Sequence, residues 1–136
     1  MYSKILVPMA LDHDVSPQTL DIAKALAAPG GDIVAFHVHE ALQGSVAAYV
    51  DQAVVDEGFA RARQTLTDKT AHLDGVQTEI VRGHTYRSII DYAAQNIVDC
   101  IVIGSHRPGL SDYLLGSTAA RVVRHAPCAV HVYRST

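Results

Sequence analysis

Short apolar runs alternate with longer segments of helical periodicity along this chain of 136 residues. The runs predict five β-strands, at residues 5–7, 33–38, 76–81, 101–103 and 128–133. The first, second and fourth runs are almost continuously apolar, as parallel strands covered on both faces are. The third and fifth runs carry polar residues between apolar ones and therefore suit the edges of a sheet. No repeat or linker interrupts the alternation, so we expect a single domain over residues 1–136.

Amphipathic segments fill the intervals between these runs and predict helices that begin near residues 17, 52, 85 and 117. Pro29-Gly30-Gly31 marks the end of the first helix, and the second extends to about residue 73. Thr85 can cap the third helix. On the last helix, the periodicity predicts four inward apolar residues: Ala119, Ala120, Val122 and Val123.

The order βαβαβαβαβ predicts an α/β fold, since right-handed crossovers turn it into an open parallel sheet. We expect a three-layer, Rossmann-like αβα arrangement of five strands in the order 3-2-1-4-5. Ligands of such sheets bind outside the carboxyl ends of the strands, where the strand order reverses. The loops expected to form the ligand site therefore follow Val7, Val38, Val81 and Ile103.

The composition excludes several classes of function. Lys and Arg total 11 and Asp and Glu total 14, so the net charge is -3, unlike that of a nonspecific nucleic-acid binder. No apolar run approaches the roughly 20 residues of a membrane helix, and no signal-peptide pattern follows Met1. Cys100 and Cys128 are too few for a disulfide framework and are expected to be free thiols. We therefore expect a cytoplasmic protein that binds neither nucleic acid nor membranes.

The loop after the fourth strand, residues 104–118, has the features of a phosphate site. Gly104 lets the backbone approach a ligand because it has no side chain. Gly116, Ser117 and Thr118 present main-chain N–H groups and hydroxyls at a helix N-terminus, which favours anions. This arrangement predicts that the main-chain amides around residues 104 and 116–118 gather into one anion site.

Two residues inside the loop, His106 and Arg107, supply possible cationic donors to a polyphosphate. The segment is not a Walker loop, because no lysine precedes Ser117. Spacing alone leaves two interpretations open. One is a phosphate site; the other is an ordinary turn in which the glycines serve the geometry and Ser117 caps the helix.

Three segments resemble the universal stress protein family: Lys4 to Pro8, Gly104 to Ser117 and Val122 to Cys128. The similarity covers essentially the whole chain. It implies an ATP-binding, dimeric stress-response protein with a five-stranded parallel sheet. The dimer would form through the last strand, Cys128 to Tyr133, although an unpaired edge guarded by Arg134 remains an alternative.

The resemblance also implies a nucleotide site. The first strand would end beside the adenosine, Val38 would contact the adenine, Ile103 would lie beneath it, and Gly116 would hold phosphate. The candidate nucleotide-binding residues are Pro8, Met9, Ala10, Val38, Ile103, Gly104, His106, Arg107, Gly109, Gly116, Ser117 and Thr118. The cofactor would be ATP or another adenine nucleotide, with any Mg²⁺ carried by the phosphates.

The chain departs from the family pattern at two places. Arg107 replaces the second glycine of the loop, with Gly109 two residues later, and Ala10 replaces a frequent aspartate. Two functions therefore stay open: a nucleotide-binding regulator with at most slow hydrolysis, and a dimeric interaction module that has lost nucleotide binding. No catalytic residue is assigned, because no water-activating base is evident, and whether the protein is an enzyme is left open.

Eight histidines raise the question of a metal site. Those near predicted strand ends are His13, His37, His39, His84 and His106. No tight ligand spacing appears among them, so we assign no metal site and interpret them as surface or phosphate-facing side chains.

Overall fold

The structure is a computed structural model and describes residues 1–11, 17–40, 49–105 and 115–134. Within these residues, strands and helices alternate along the chain. The strands are β1 (Tyr2–Pro8), β2 (Ala27–Glu40), β3 (Val76–Gly83), β4 (Cys100–Ser105) and β5 (Ala129–Arg134). The helices are α1 (Pro17–Leu26), α2 (Gln52–Thr70), α3 (Thr85–Gln95) and α4 (Ser117–His125).

The strands form one parallel sheet in the order β3-β2-β1-β4-β5. The α/β fold and the strand order predicted from the sequence are thus confirmed. Ile5 illustrates the central position of β1, since it is level with Ile33 of β2 on one side and Cys100 of β4 on the other. The order reverses between β1 and β4, which places the predicted ligand crevice at the carboxyl ends of these two strands.

Alternate residues of the central strands feed two hydrophobic layers, because successive side chains of a strand point to opposite faces. Leu6 and Ile101 pack in the layer that contains Ile89 of α3 and Val122 of α4. Their chain neighbours point the other way, to a layer that includes Ile5, Val7, Leu20, Ala23, Cys100 and Val102. Both faces of the sheet are therefore covered by helices, as the continuous apolar runs predict.

The second strand is longer than its apolar core indicates. It begins at Ala27 and runs through the Pro29-Gly30-Gly31 segment, where the sequence predicts only the end of a helix. Gly30 has a φ of +75°, which glycine adopts without strain. A Cβ on Gly31 would lie 2.9 Å from the carbonyl oxygen of Tyr2, so the glycine allows β1 and β2 to approach closely.

Two helices differ from their predicted form. The helix α2 ends at Thr70 instead of near residue 73. In α4, Val122 is fully buried, but Val123 is 47% exposed and Ala120 is exposed as well. The prediction that Ala120 and Val123 point inward is wrong, because the buried stripe of this nine-residue helix is too narrow for them.

Asp99 fastens the beginning of β1 to that of β4. Its carboxylate accepts hydrogen bonds from the main-chain N–H groups of Ser3, at 2.8 Å, and Lys4, at 2.9 Å. Burial acts to raise the pKa of this carboxyl, but these donors outweigh it and the pKa lies below its ordinary value. Asp99 therefore contributes stability in its charged form.

None of the helices in the described part of the chain combines the length and the apolar character needed to cross a membrane. The cytoplasmic location and the single-domain organisation stay predictions.

Candidate functional site

A cavity of about 490 Å³ opens where β1, β2 and β4 end. Its volume lies within the range of small-molecule sites, roughly 300–1,000 Å³. Three strand ends and the first turns of two helices line it. The lining residues are Pro8, Met9, Ala10, Phe36, His37, Val38, Glu40, Thr85, Ile89, Ile103, Gly104, Ser105, Gly116, Ser117, Thr118 and Ala119. This is the crevice where the strand order reverses, as the predicted topology requires.

The cavity brings together nine of the twelve predicted site residues. They are Pro8, Met9, Ala10, Val38, Ile103, Gly104, Gly116, Ser117 and Thr118. The other three, His106, Arg107 and Gly109, lie outside the described residues. The nine residues thus line one cavity, and their role in ligand binding stays a prediction.

The two ends of the predicted phosphate loop are held together by a side chain. The hydroxyl oxygen of Ser105, at the end of β4, accepts a hydrogen bond of 2.8 Å from the main-chain N–H of Gly116. The stretches at residues 104–105 and 116–118 therefore lie side by side. However, the Gly116 amide already has an acceptor, so it is not a free phosphate donor as the sequence suggests.

The next three amides are available instead. The first bond inside α4 runs from the N–H of Ala120 to the carbonyl of Gly116, at 2.9 Å. Within the described residues, the main-chain N–H groups of Ser117, Thr118 and Ala119 have no acceptor, and Gly116 supplies no side-chain cap. Such amides carry the partial positive charge of a helix N-terminus, so this wall of the cavity suits an anion.

Gly104 faces the cavity with its backbone, but its missing side chain would point elsewhere. An added Cβ would meet Thr19 Cγ2, on α1, at the ordinary contact distance of 3.7 Å. Among the described residues, nothing closer would obstruct it. An alanine therefore fits at this position, and lack of space does not explain the glycine.

The ends of β1 and β2 are locked to each other beside the cavity. The N–H of Met9 donates to the carbonyl of Phe36 at 2.8 Å. The ring of His37 is bonded through Nδ1 to the carbonyl of Met9, also at 2.8 Å. Because a carbonyl only accepts, Nδ1 carries the proton, which fixes the tautomer of His37. Two hydrogen bonds thus join the end of β1 to β2 next to Val38.

The carboxylate of Glu40, the last residue of β2, lies at the opposite side of the cavity and contacts the N-terminus of α3. Glu40 Oε1 accepts from the main-chain N–H of Thr85, at 3.3 Å, and from the Thr85 hydroxyl through a short hydrogen bond. Thr85 is the first helical residue and His84 is the N-cap, so the predicted cap is one residue out of place. Glu40 is the one carboxylate among the described lining residues.

Seven lining residues are not among the predicted site residues: Phe36, His37, Glu40, Thr85, Ile89, Ser105 and Ala119. The two-residue period of a strand, counted from Val38, is a signal that points to Phe36 and Glu40. Thr85 and Ile89 approach only through packing of α3 on the sheet, for which the local sequence carries no signal.

Neither thiol belongs to the cavity. Burial raises the pKa of Cys100 to about 11, and burial also raises the pKa of Cys128. Such thiols are poor nucleophiles. Metal ligands are not grouped either: in residues 1–11, 17–40, 49–105 and 115–134, no three His, Cys, Asp or Glu side chains could hold an ion together.

Comparison with known sequences gives a consistent result. The sequence model of the Universal stress protein family matches residues 1–134. A universal stress protein of Methanothermobacter thermautotrophicus is 28% identical over 145 residues, which cover 99% of this chain and 97% of the relative. Universal stress protein G of Salmonella typhimurium is 30% identical over 145 residues, covering 98% of this chain and all of the relative.

Solved structures share the fold. The universal stress protein UspA from Lactobacillus plantarum superposes with a TM-score of 0.71 at 29% identity, over 98% of both chains. A universal stress protein in complex with cAMP gives 0.61 at 22% identity, covering 99% of this chain and 98% of that one. A family member from Arabidopsis thaliana with AMP bound gives 0.65 at 16% identity, covering 98% and 92%. At such low identities, the last two comparisons establish the fold alone.

Proposed function

The chain belongs to the universal stress protein family, and we propose that it binds an adenine nucleotide, in the first place ATP, in the cavity at the carboxyl ends of β1, β2 and β4. Residues 1–136 would act as one nucleotide-binding domain that regulates partners in the stress response. The proposal rests mainly on the cavity of about 490 Å³, which joins an apolar wall to helix N-terminal amides that have no acceptor among the described residues.

The apolar wall suits a purine ring. Phe36, Val38 and Ile103 are buried residues of β2 and β4 that line one part of the cavity, and Ile89 of α3 lines it as well. A flat, weakly polar base gains free energy when it leaves water for such a surface, at about 25 cal/mol per Å² of apolar area. The base would therefore lie here, as the resemblance implies for Val38.

The phosphates would lie on the other wall. Ser117, Thr118 and Ala119 offer main-chain N–H groups, and the first two add hydroxyls. Any Mg²⁺ would be carried by the phosphates, because Glu40 is the one carboxylate of the described lining and no three metal-ligating side chains are grouped in the described residues. Among the described lining residues, the carboxylate of Glu40 is bonded to Thr85 and the ring of His37 to the carbonyl of Met9, which supports at most slow hydrolysis.

Glu40 provides a candidate contact for the ribose. Universal stress proteins often have an aspartate near the end of the first strand, where this chain has Ala10. Glu40 Oε1 is held by Thr85, which orients the carboxylate, and Oε2 can accept from a ribose hydroxyl. A carboxylate from β2 would thus supply the acceptor that the loop after β1 lacks.

Relatives of this fold hold ligands of the same class. One universal stress protein was solved in complex with cAMP and another with AMP bound. Both ligands are adenine nucleotides, which supports the choice of the base but not the number of phosphates.

Titration calorimetry with ATP, AMP and GTP tests the proposal. A glutamate at position 117 would favour the helix dipole but repel phosphate. We therefore expect Ser117→Glu to keep or raise the melting temperature while weakening ATP binding at least about tenfold. Ser117→Gln is the matched control, because it also removes the hydroxyl and has a side chain of the same size as glutamate but no charge. It should bind ATP clearly more tightly than Ser117→Glu does.

A wild-type protein that shows no heat with millimolar ATP or AMP, and carries no nucleotide in its native mass spectrum, would refute the proposal. That result would favour the alternative of an interaction module without nucleotide binding, for which Ala10 and Arg107 argue. If Ser117→Glu binds ATP as tightly as the wild type does, the protein binds a nucleotide, but the phosphates of that nucleotide do not lie at the N-terminus of α4.

We also propose that the protein forms a homodimer through β5. This strand pairs with β4 on one side, and among the described residues its other edge has no strand partner. Val130, Val132 and Tyr133 are only half-buried on this edge. Sedimentation equilibrium should show a dimer that Val132→Pro weakens more than Val132→Ala does. The main-chain amide of His131 faces Cys100 of β4, so the amide of Val132 faces the open edge, and proline removes that donor. A wild-type monomer at all concentrations would contradict this.

A further inference from the structure

A second cavity, of about 470 Å³, lies between α3 and α4, and two of its six lining residues are arginines. We call it the basic groove, and its residues are Tyr86, Ser117, Ala120, Arg121, Arg124 and His125. The chain as a whole carries a net charge of -3, so this concentration of positive charge runs against the average surface.

Tyr86 gives the groove an ordered centre. Its ring is half-buried against the hydrophobic layer under α3. The guanidinium carbon of Arg121 lies 5.0 Å from the ring centroid, and that of Arg87 lies 5.8 Å away. The ring of His125 is 6.5 Å from the same centroid. Side chains from two helices therefore converge on one aromatic surface, at distances typical of cation–π contact.

These charges are not neutralised by neighbouring acids. The helix α4 contains no Asp or Glu. Within the described residues, none of Arg87, Arg121 and Arg124 forms an ion pair with a carboxylate. The dipole at the end of α4 accounts for Arg124 and His125, but Arg121 lies in the middle of the helix. Like charges gathered in this way are an arrangement that an anion would stabilise.

The groove borders the first cavity. Ser117 lines both, because it begins α4 at the anion-binding wall and also borders the groove. Arg121 and Arg124 follow on the same side of the helix, about 6 and about 10 Å further along its axis. A chain of anionic groups that starts at the first amides of α4 and follows this side of the helix would therefore meet the two guanidinium groups in turn.

We propose that the basic groove binds the distal groups of a phosphate chain. Arginine suits this role because its planar guanidinium can donate two parallel hydrogen bonds to one phosphate. The inference rests on the proposed nucleotide site when the chain belongs to a nucleotide, for example a nucleoside tetraphosphate. An inorganic polyphosphate offers the same chemistry without the base, and the experiment separates the two sources.

The test measures dissociation constants by calorimetry for AMP, ADP, ATP, adenosine tetraphosphate and inorganic tripolyphosphate. The variants are Arg121→Gln and Arg124→Gln. The control is Arg63→Gln on α2, since Arg63 also lies 5.0 Å over an aromatic ring, that of Phe59, but outside the groove. Melting temperatures verify that these exposed substitutions leave the fold intact, and Arg121→Lys shows how much a charge alone restores.

In the wild type, affinity should increase with each added phosphate. Arg121→Gln and Arg124→Gln should each weaken adenosine tetraphosphate about tenfold and AMP less than about twofold, and the control should match the wild type. If the two variants lose equal affinity for AMP and for the tetraphosphate, or lose affinity for neither, the proposed role of the groove is refuted. If tripolyphosphate binds in an Arg121-dependent manner while no nucleotide binds, the groove stands and the proposed nucleotide function falls. If the tetraphosphate and tripolyphosphate both fail to bind, the groove proposal is refuted.

Discussion

Ser105 offers the sharpest test of how the candidate site is built. Its hydroxyl accepts the N–H of Gly116 at 2.8 Å and so joins the end of β4 to the beginning of α4, eleven residues later. Ser105 is 9% exposed, whereas Gly116 is half-buried. In Ser105→Ala, water can therefore reach part of the orphaned amide, and the full cost of a buried unpaired donor does not apply.

The expected loss is about 1 kcal/mol of unfolding free energy, the net value of one hydrogen bond. For a chain of this length, that corresponds to a fall of about 4 °C in the melting temperature. Binding of ATP should also weaken, by about fivefold, because the two ends of the wall must be brought together when the ligand enters. Urea unfolding followed by circular dichroism and titration calorimetry measure the two effects.

Two controls separate the hydrogen bond from a general effect of substitution. Ser105→Thr keeps the hydroxyl and should restore most of the stability. Ser3→Ala changes an exposed serine at the beginning of β1 and should leave both quantities unaltered. The reasoning fails if Ser105→Ala melts with the wild type, or if the threonine variant loses as much stability as the alanine variant.

Three further predictions concern the rest of the fold. Burial raises the pKa of Cys100 to about 11, so only about a thousandth of this thiol is ionised at pH 8. A thiol reagent should therefore label native Cys128 slowly and Cys100 only after unfolding, and rapid labelling of both would contradict this. Asp99→Ala should destabilise the protein at neutral pH but not well below pH 3.8, because a lowered pKa contributes stability above the unfolded value that is lost on acidification; a constant difference in urea midpoints would oppose it. Val122→Ala should cost about 2 kcal/mol and Val123→Ala less than about 0.5 kcal/mol, and equal costs in urea unfolding would show that the buried stripe of α4 is misassigned.

The sheet could be predicted because its signals are local. Continuous apolar runs mark β1, β2 and β4 as covered on both faces, and polar interruptions mark β3 and β5 as edges. The extension of β2 through Gly30 could not be predicted in the same way. It depends on the close approach of Gly31 to Tyr2, a residue distant in the chain, and this contact overrides the local preference for a turn.

In the candidate site, too, features with a local sequence signal could be predicted, and features that depend on distant contacts could not. Strand ends such as Pro8 and Val38, and the helix start at Ser117, follow directly from the topology, so their presence in one cavity is foreseeable. The partners of Ser105 and Glu40 are not foreseeable, because each hydrogen bond joins segments that only the packed sheet brings together. The sequence indicates where the cavity lies, whereas the allocation of its polar groups is a property of the tertiary structure.

That allocation explains why one helix end, and not the other, is suited to an external anion. The helices α3 and α4 both begin at the carboxyl edge of the sheet, and both present N-terminal amides to the cavity. At α3, the protein supplies its own carboxylate through Glu40, which accepts the Thr85 amide and cancels part of the helix dipole. At α4, Ser105 takes the Gly116 amide with a neutral hydroxyl, so the amides that follow keep their positive potential. An anionic ligand is therefore repelled from the Glu40 side and attracted to the Ser117 side, which gives the cavity a direction. A molecule with an uncharged base and a charged tail fits that direction in one orientation only.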